Sequence, residues 1–404
     1  MSVLARLVAA AAGIVIVNAI AACGTVTYSQ VNGNLRVPVF SFHGQLDSVA
    51  AASPDDAWAV GFSGGAITDG GTLMLHWDGR TWSRVASPQV LDGVPGVLSD
   101  VTAVSDSDAW AVGVTAAASA SRESVGAAKP LLVHWDGSRW SQVANLPAVT
   151  GSLSGITMSS HSGWAVGSFV VAGHLRPLIL RWDGAVWRQE SAPADVGDLS
   201  SVVRVAVSSA GTAWAIGDAP VEGSLTVRSV LMHWSGSSWQ RVSFPVAGPA
   251  NSLFDMAVGP DGTAWAVGQD ATVASALNMH VNGPPLSMRW TGATWQAVPV
   301  PGPQAGFYGV TIAPGGAVWA VGGDASGALA MRWTGSAWDS VPVPEDLGPA
   351  ANGALTGVAF SSLADGWAVG VDWVTGKGKQ RENLPLIVLM RRSRNDEGDS
   401  DADL

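Results

Sequence analysis

The chain has 404 residues, of which 47% are hydrophobic and only 13% charged, with 49 glycines and 20 tryptophans. Such a balance suits short strands and tight turns around a large buried surface. The formal charge of −11, with lysine only at Lys129, Lys377 and Lys379, provides no basic stripe to neutralise phosphates and argues against nucleic acid as a partner.

The first element is a targeting segment. Arg6 supplies a positive start, and Leu7 to Ala22 is apolar apart from Asn18. This run is shorter than the roughly 20 residues of a membrane span and suits the apolar region of a signal peptide. It ends in Ile20-Ala21-Ala22-Cys23, which resembles the bacterial lipobox. The resemblance implies cleavage after residue 22, lipidation of Cys23, and an exported chain on the outward side of the cell membrane. An ordinary secretory signal or an uncleaved anchor are the alternatives. Cys23 is the only cysteine, so no disulfide contributes and stability must come from burial. Residues 23–45 are expected to form the lipid-anchored N-terminus and a ring-closing strand.

Residues 46–390 are repetitive. Trp-Ala-Val-Gly recurs at Trp58, Trp110, Trp164, Trp265, Trp319 and Trp367, with Trp-Ala-Ile-Gly at Trp214. The steps of 52, 54, 50, 51, 54 and 48 residues define seven copies of one unit, a period that belongs to propeller repeats. In residues 98–145, Leu98 to Val104 reads as a first strand, Trp110 to Gly113 as a second, Leu131 to Trp135 as a third and Trp140 to Val143 as a fourth. Asp136-Gly137 between the last two predicts a two-residue type I′ turn. It recurs at Asp78-Gly79 and Asp183-Gly184, then with Ser235-Gly236, Thr291-Gly292 and Thr334-Gly335; the glycine is kept and its predecessor varies.

Alternation puts Trp58 and Val60 on one side of the second strand and Ala59 and Gly61 on the other. A bulky face can then pack on the small face of the next sheet around a ring. Nineteen of the 20 tryptophans fall on repeat positions of the second, third and fourth strands, and only Trp373 lies outside. The expected fold is all-β: a seven-bladed propeller of four-stranded antiparallel blades. Its seventh unit stops after a third strand, Leu386 to Leu389, before the charged tail 391–404. The missing fourth strand is expected from the N-terminus, as Thr27 to Val31 or as Leu35 to Phe40, so that no edge stays open. If Thr27 to Val31 closes the ring, Cys23 emerges on the face of the short turns, Arg391, Arg392 and Arg394 lie near lipid headgroups, and the variable face points away from the membrane.

This pattern resembles kelch-type repeats, as in the central domain of galactose oxidase. A third strand ends in an aromatic, a turn leads to a tryptophan on the fourth, and the next second strand ends in aromatic-x-Val-Gly. Gly322-Gly323 matches the kelch double glycine, whereas the other units carry a single one. Asp78-Gly79-Arg80-Thr81-Trp82 is similar to the Asp-box of sialidase-like propellers, but that motif has a residue between Asp and Gly.

Function is expected on one of two surfaces. The connections Val114 to Lys129, Gln269 to Pro285 and Val371 to Pro385 are long and variable, as binding loops on a rigid scaffold tend to be. First strands line the central channel, where one equivalent position reads Ser48, Asp100, Gly155, Arg204, Asp255, Gly309 and Gly357, with Asp47 and Tyr308 one residue earlier. Asp47, Asp100, Arg204, Asp255 and Tyr308 are candidates for a polar ligand at the channel mouth; internal ion pairing is the alternative. His76, His134 and His233 share a position with Arg181, Arg289 and Arg332, which fits a cation beside a tryptophan face rather than a metal ligand. No metal or cofactor is expected. Copper-radical chemistry needs a tyrosine joined to a cysteine, a sialidase needs an arginine triad with Tyr and Glu, and Gly-x-Ser-x-Gly is absent. The sequence thus favours a monomeric, lipid-anchored module binding an envelope protein or glycan, with a channel-mouth hydrolase or lyase as the alternative.

Overall fold

The computed structural model describes residues 19–20, 25–31, 35–40 and 42–391, except 65–69, 89–95, 116–127, 160–161, 197–198, 209–210, 222–226, 246–250, 271–282, 303–304, 325–326, 344–352, 363–364 and 376–380. Cys23, the run Leu7 to Asn18, the tail beyond Arg391 and the middles of two variable connections (116–127 and 271–282) lie outside the described residues.

Seven antiparallel sheets stand in a ring. The first is Gly44–Ser53, Asp56–Ser63, Gly71–Trp77 and Trp82–Arg84, and five more repeat that four-strand order. The seventh has three strands, Ala354–Phe360, Asp365–Thr375 and Arg381–Arg391. The inner strands are Gly44–Ser53, Gly96–Ser105, Gly151–Met158, Ser201–Val207, Ser252–Val258, Ala305–Ile312 and Ala354–Phe360; each packs on the next, and the last returns to the first.

The expected alternation organises the joints between blades. Trp58 and Val60 bury themselves with Leu98, Ala109, Ala111 and Val133 of the second blade, while Ala57 and Ala59 face Trp367 and Val369 of the seventh. At six of the seven joints a second-strand tryptophan meets the third- and fourth-strand tryptophans of the next blade. Trp58 lies 4.9 Å from Trp135 and 5.0 Å from Trp140, the latter edge-on. Trp110, Trp164, Trp214 and Trp265 repeat this arrangement, and Trp367 repeats it across the seam with Trp77 and Trp82. The motif glycine is required by backbone approach: a Cβ on Gly113 would overlap the Val97 carbonyl oxygen of the paired inner strand.

Three expectations need correcting. The third-to-fourth turns are not two-residue type I′ turns. Trp77 pairs with Trp82 across four residues, and in this turn only Gly79 has positive φ, at 83°. The varying residue before the glycine turns out to be a cap. Asp78 Oδ1 accepts the Arg80 and Thr81 N–H groups at 2.9 and 2.7 Å, and Thr291 Oγ1 accepts the Thr294 N–H at 3.2 Å. Asp, Ser and Thr all offer an oxygen at the reach of such a turn. Second, Val371 to Pro385 is mostly strand rather than loop, because pairing continues through Val371↔Pro385 to Thr375↔Arg381.

The third concerns ring closure. Leu35–Phe40 lies beside Arg381–Arg391, and Thr25–Val31 pairs with it from Val31↔Leu35 to Val26↔Phe40, with Ala19–Ile20 as a third strand. Phe40 is four residues from Gly44, where the first inner strand starts on the face of the variable connections. Thr25 is therefore level with that face. The premise that sent Cys23 out on the short-turn face, and the variable face away from the membrane, is lost.

Candidate functional site

The channel wall is shaped by a bulge that recurs in every blade. Register shifts occur between Leu46 and Ser48, Leu98 and Asp100, Leu153 and Gly155, Val202 and Arg204, Leu253 and Asp255, Phe307 and Gly309, and Leu355 and Gly357. A bulge opposes two residues to one and re-aims their side chains. Here it lets residues three apart, such as Leu46 and Val49, both point into the core, with 0% and 6% exposure. The bulge is also what presents Ser48, Asp100, Arg204 and Asp255 at one level of the channel.

These groups are bonded from blade to blade. Ser48 Oγ–H donates to Asp100 Oδ1 at 2.7 Å, joining the first two blades. Asp100 Oδ2 accepts the Ile156 N–H of the third blade at 2.9 Å. Arg204 of the fourth blade donates back to the Ser154 carbonyl at 2.5 Å and faces Asp255 Oδ1 of the fifth at 3.4 Å. Asp255 Oδ2 in turn accepts the Val310 N–H of the sixth blade at 2.8 Å. Thr356 of the seventh blade donates to the Leu46 carbonyl of the first at 2.7 Å. Where a carboxylate reaches across, the next blade has glycine at the equivalent position: Gly155 after Asp100 and Gly309 after Asp255. A Cβ at either glycine would crowd the backbone of the following inner strand, at Val203 and Arg204 or at Thr356 and Gly357.

Asp47, Asp100, Arg204 and Asp255 line one cavity of about 300 Å³, which runs past Ala51, Ala103 and Ala359 toward the short-turn face. Four of the five sequence candidates are thus brought together. The fifth, Tyr308, does not line this cavity; it is 7% exposed, its ring 5.5 Å from Phe254, and burial pushes its hydroxyl up to about 12. Burial raises Asp255 to about 6, with Arg204 opposing it, and raises Asp47 to about 7 against its 2.6 Å bond from Gln45 and the charge of Arg204. The acidic neighbours Asp100, Asp255 and Asp47 offset the desolvation of Arg204 and hold its guanidinium above its ordinary value. Chemically, one fixed cation sits among carboxyl groups, two of which titrate near neutrality.

Sequence reasoning missed the bulge and Thr356. The signal for the first was present as Leu-x-x-Val, an apolar spacing of three that a flat strand does not produce. Outside the channel, the shared histidine and arginine position lies against the second-strand tryptophan, although burial pushes His233 toward its neutral form. His76 stacks on Trp58 at 4.2 Å with Asp56 at 2.8 Å, and the Arg181 guanidinium lies 5.5 Å from Trp164 and 5.2 Å from Trp234.

No family model and no curated protein matches the chain. Solved structures do. YCF48 from Cyanidioschyzon merolae is similar with a TM-score of 0.52 at 16% identity, over 86% of this chain and 96% of that one. A polysaccharide lyase, ulvan lyase bound to a GlcA–Rha3S saccharide, is similar at 0.50 and 10% identity, over 89% of this chain and 98% of its own. A puromycin-hydrolyzing peptidase of Mycobacterium tuberculosis is similar at 0.52 and 12% identity, over 86% of this chain and 53% of the peptidase. At these identities the likeness is one of fold: the chain is an all-β seven-bladed propeller.

Proposed function

We propose that the chain is an exported, lipid-anchored binding module of the cell envelope that holds a protein or glycan on its variable face. The observation that carries this reading is the engagement of the channel: Asp100, Arg204 and Asp255 are committed to neighbouring inner strands. The variable face, by contrast, carries long hairpins. Gly163–Val171 and His174–Trp182 project to a tight turn at Ala172-Gly173, with Val171 and Leu175 about half exposed near its tip. Variable extensions on a rigid ring are where binding concentrates. Export and anchoring rest on the apolar run Leu7 to Ala22 and on Cys23.

The test is binding of the full chain to immobilised envelope proteins and glycans, compared with a Val171→Asp, Leu175→Asp double variant and with Asp100→Ala. Binding that is lost in the hairpin variant and kept in Asp100→Ala supports the module. Binding that follows Asp100 instead rejects the hairpin as the docking element. Radiolabelled palmitate incorporation, abolished by Cys23→Ser, tests the anchor.

A second reading has one observation in its favour: Asp47, raised to about 7 beside Arg204, has the proton affinity of a general acid or base. Under this reading the channel cavity cleaves a polysaccharide or peptide. Turnover that disappears in Asp47→Asn while the fold persists supports it; turnover unchanged in that variant rejects it.

A further inference from the structure

Pairing stops early at the outer edge of the second blade. Its third strand, Lys129–Trp135, has 7 residues and its fourth, Trp140–Gln142, only 3. The register runs from Trp135↔Trp140 to Val133↔Gln142, and the Val143 N–H still reaches the Leu132 carbonyl at 2.9 Å. Beyond that bond the chain leaves the sheet through Asn145, which stands at φ 64°. In an antiparallel ladder successive residues turn their main-chain groups to opposite sides. Ser141 and Val143 point theirs at the third strand, so Trp140 and Gln142 point theirs outward. The first residues of the third strand, Lys129 to Leu131, pair with no residue of the fourth.

A groove of about 1290 Å³ opens along this edge. Lys129 marks its end at the variable face and Arg139 its end at the short-turn face. Val85 to Pro88, which follow the first blade, line one part of it, and Leu146 and Pro147, on the way to the third blade, line another. None of the residues lining it is acidic, on a chain whose formal charge is −11. Lys129, Arg139, Ser141 and Gln142 are exposed. The Asp136 carboxylate, which feels the charge of Arg139, is occupied as the cap of its own turn, where it accepts the Ser138 and Arg139 N–H groups at 2.9 and 3.0 Å. The seventh blade shows what such an outer edge accepts. Leu35–Phe40 lies beside Arg381–Arg391, and Thr25–Val31 is added outside it in antiparallel register.

We infer that the edge groove of the second blade is a docking site for an acidic polypeptide segment in extended conformation, which adds to Trp140–Gln142 as a fifth strand. Main-chain bonds to Trp140 and Gln142 hold such a segment whatever its sequence. Selectivity comes from the two ends. An extended chain covers about 20 Å over the length of Lys129–Trp135, so carboxylates about six residues apart reach Lys129 and Arg139 together. Apolar side chains between them meet Val85, Trp135, Leu146 and Pro147. An acidic glycan would find the same two cations but has no row of N–H and C=O groups to offer the sheet edge. The groove lies on the rim of the ring and does not depend on what the variable face binds.

Fluorescence anisotropy with the full chain tests the assignment. The probe is a fluorescein-labelled peptide of about ten residues alternating glutamate with valine, long enough to span the groove. Two comparison peptides alternate lysine with valine, or keep the glutamates with every amide N-methylated so that no main-chain N–H remains. Saturable binding is expected for the first peptide and not for the other two. Lys129→Glu with Arg139→Glu alters exposed side chains only and should weaken binding about ten-fold, as two reversed surface charge contacts imply. The Val171→Asp, Leu175→Asp variant should bind the peptide like wild type, whatever becomes of the ligand of the variable face. No saturable binding by wild type overturns the inference, as does undiminished affinity after charge reversal. Equal affinity for the N-methylated peptide, with displacement by polygalacturonate, would assign the groove to an acidic glycan and overturn the added strand. Loss of binding in the hairpin variant would move the peptide to the variable face and overturn it as well.

Discussion

Trp58 and Trp319 hold the same repeat position but meet different neighbours. Trp58 packs against Trp135 and Trp140 of the second blade and carries His76 on its face. Trp319 faces a seventh blade that has neither tryptophan, and stacks instead on Phe360 at 4.9 Å. The channel differs in parallel. Ser48 and Asp100 join the first two blades by a side-chain bond, whereas between the sixth and seventh the backbone of Gly309 comes close to Thr356 and Gly357. The seventh blade offers Trp319 no tryptophan, and the joint is made by Phe360 together with Leu355, Val358, Leu386, Val388 and Met390. The joints are therefore not uniform in composition, although the repeats are uniform in sequence.

Truncation at the two joints should break this comparison most sharply. Trp58→Ala is expected to cost about 3–5 kcal/mol in urea unfolding, as large buried aromatics do. Trp319→Ala should cost about 1 kcal/mol less, the worth of an aromatic pair it does not make. Equal losses would mean that the missing tryptophans at the last joint carry no weight.

Removing the channel cation should come next. Arg204→Met leaves Asp47, Asp100 and Asp255 without their shared positive partner and is expected to cost about 3 kcal/mol at pH 8. Asp47 and Asp255 already have raised values in the folded state, near 7 and 6, so their neutral forms favour folding. That contribution is complete below their unfolded values and is lost as pH rises through 6–7. The Arg204→Met deficit should accordingly shrink at pH 5. A deficit that is flat in pH would show that these carboxyls do not feel Arg204.

Asp218 gives a control distant from both joints. Burial alone pushes it up to about 7, and its Oδ1 has no hydrogen-bond partner among the described residues. Asp218→Asn should raise the melting temperature at pH 8 by a few degrees and leave it unchanged at pH 4, where the native carboxyl is neutral. A rise at both pH values would assign the effect to packing instead. The smallest effect is expected at the seam. Thr356→Val keeps shape and loses the bond to the Leu46 carbonyl, for about 1 kcal/mol in the same unfolding assay.

The blade plan was legible because its signals are local and repeated. Tryptophan–alanine alternation determines which face each second strand buries, and that needs no knowledge of the neighbour. The channel was legible only by position. Equivalent residues could be aligned as Ser48, Asp100, Arg204 and Asp255, but their bonds run to the Ile156 and Val310 N–H groups and the Ser154 carbonyl. Backbone partners on another blade leave no trace in residue type. The turn error has a similar source: Asp-Gly fits a two-residue turn and a side-chain-capped four-residue turn equally well, and the strand register that decides between them is tertiary. Ring closure was legible only as a choice between two candidates, since Thr27 to Val31 and Leu35 to Phe40 both read as strands and both are, and which one lies beside the last blade is tertiary.

The capped turns give the ring an acid-labile half. In the first three blades the cap is a carboxylate, Asp78, Asp136 or Asp183; in the next three it is a hydroxyl, Ser235, Thr291 or Thr334. The bonds they accept hold the carboxylates below their usual range, Asp136 and Asp183 at about 2. Lowered values mean that these caps act above the unfolded pKa and are released as pH falls through about 2. Hydroxyl caps do not titrate at all. Strong acid therefore weakens the caps along one semicircle of the short-turn rim and leaves those of the other unchanged.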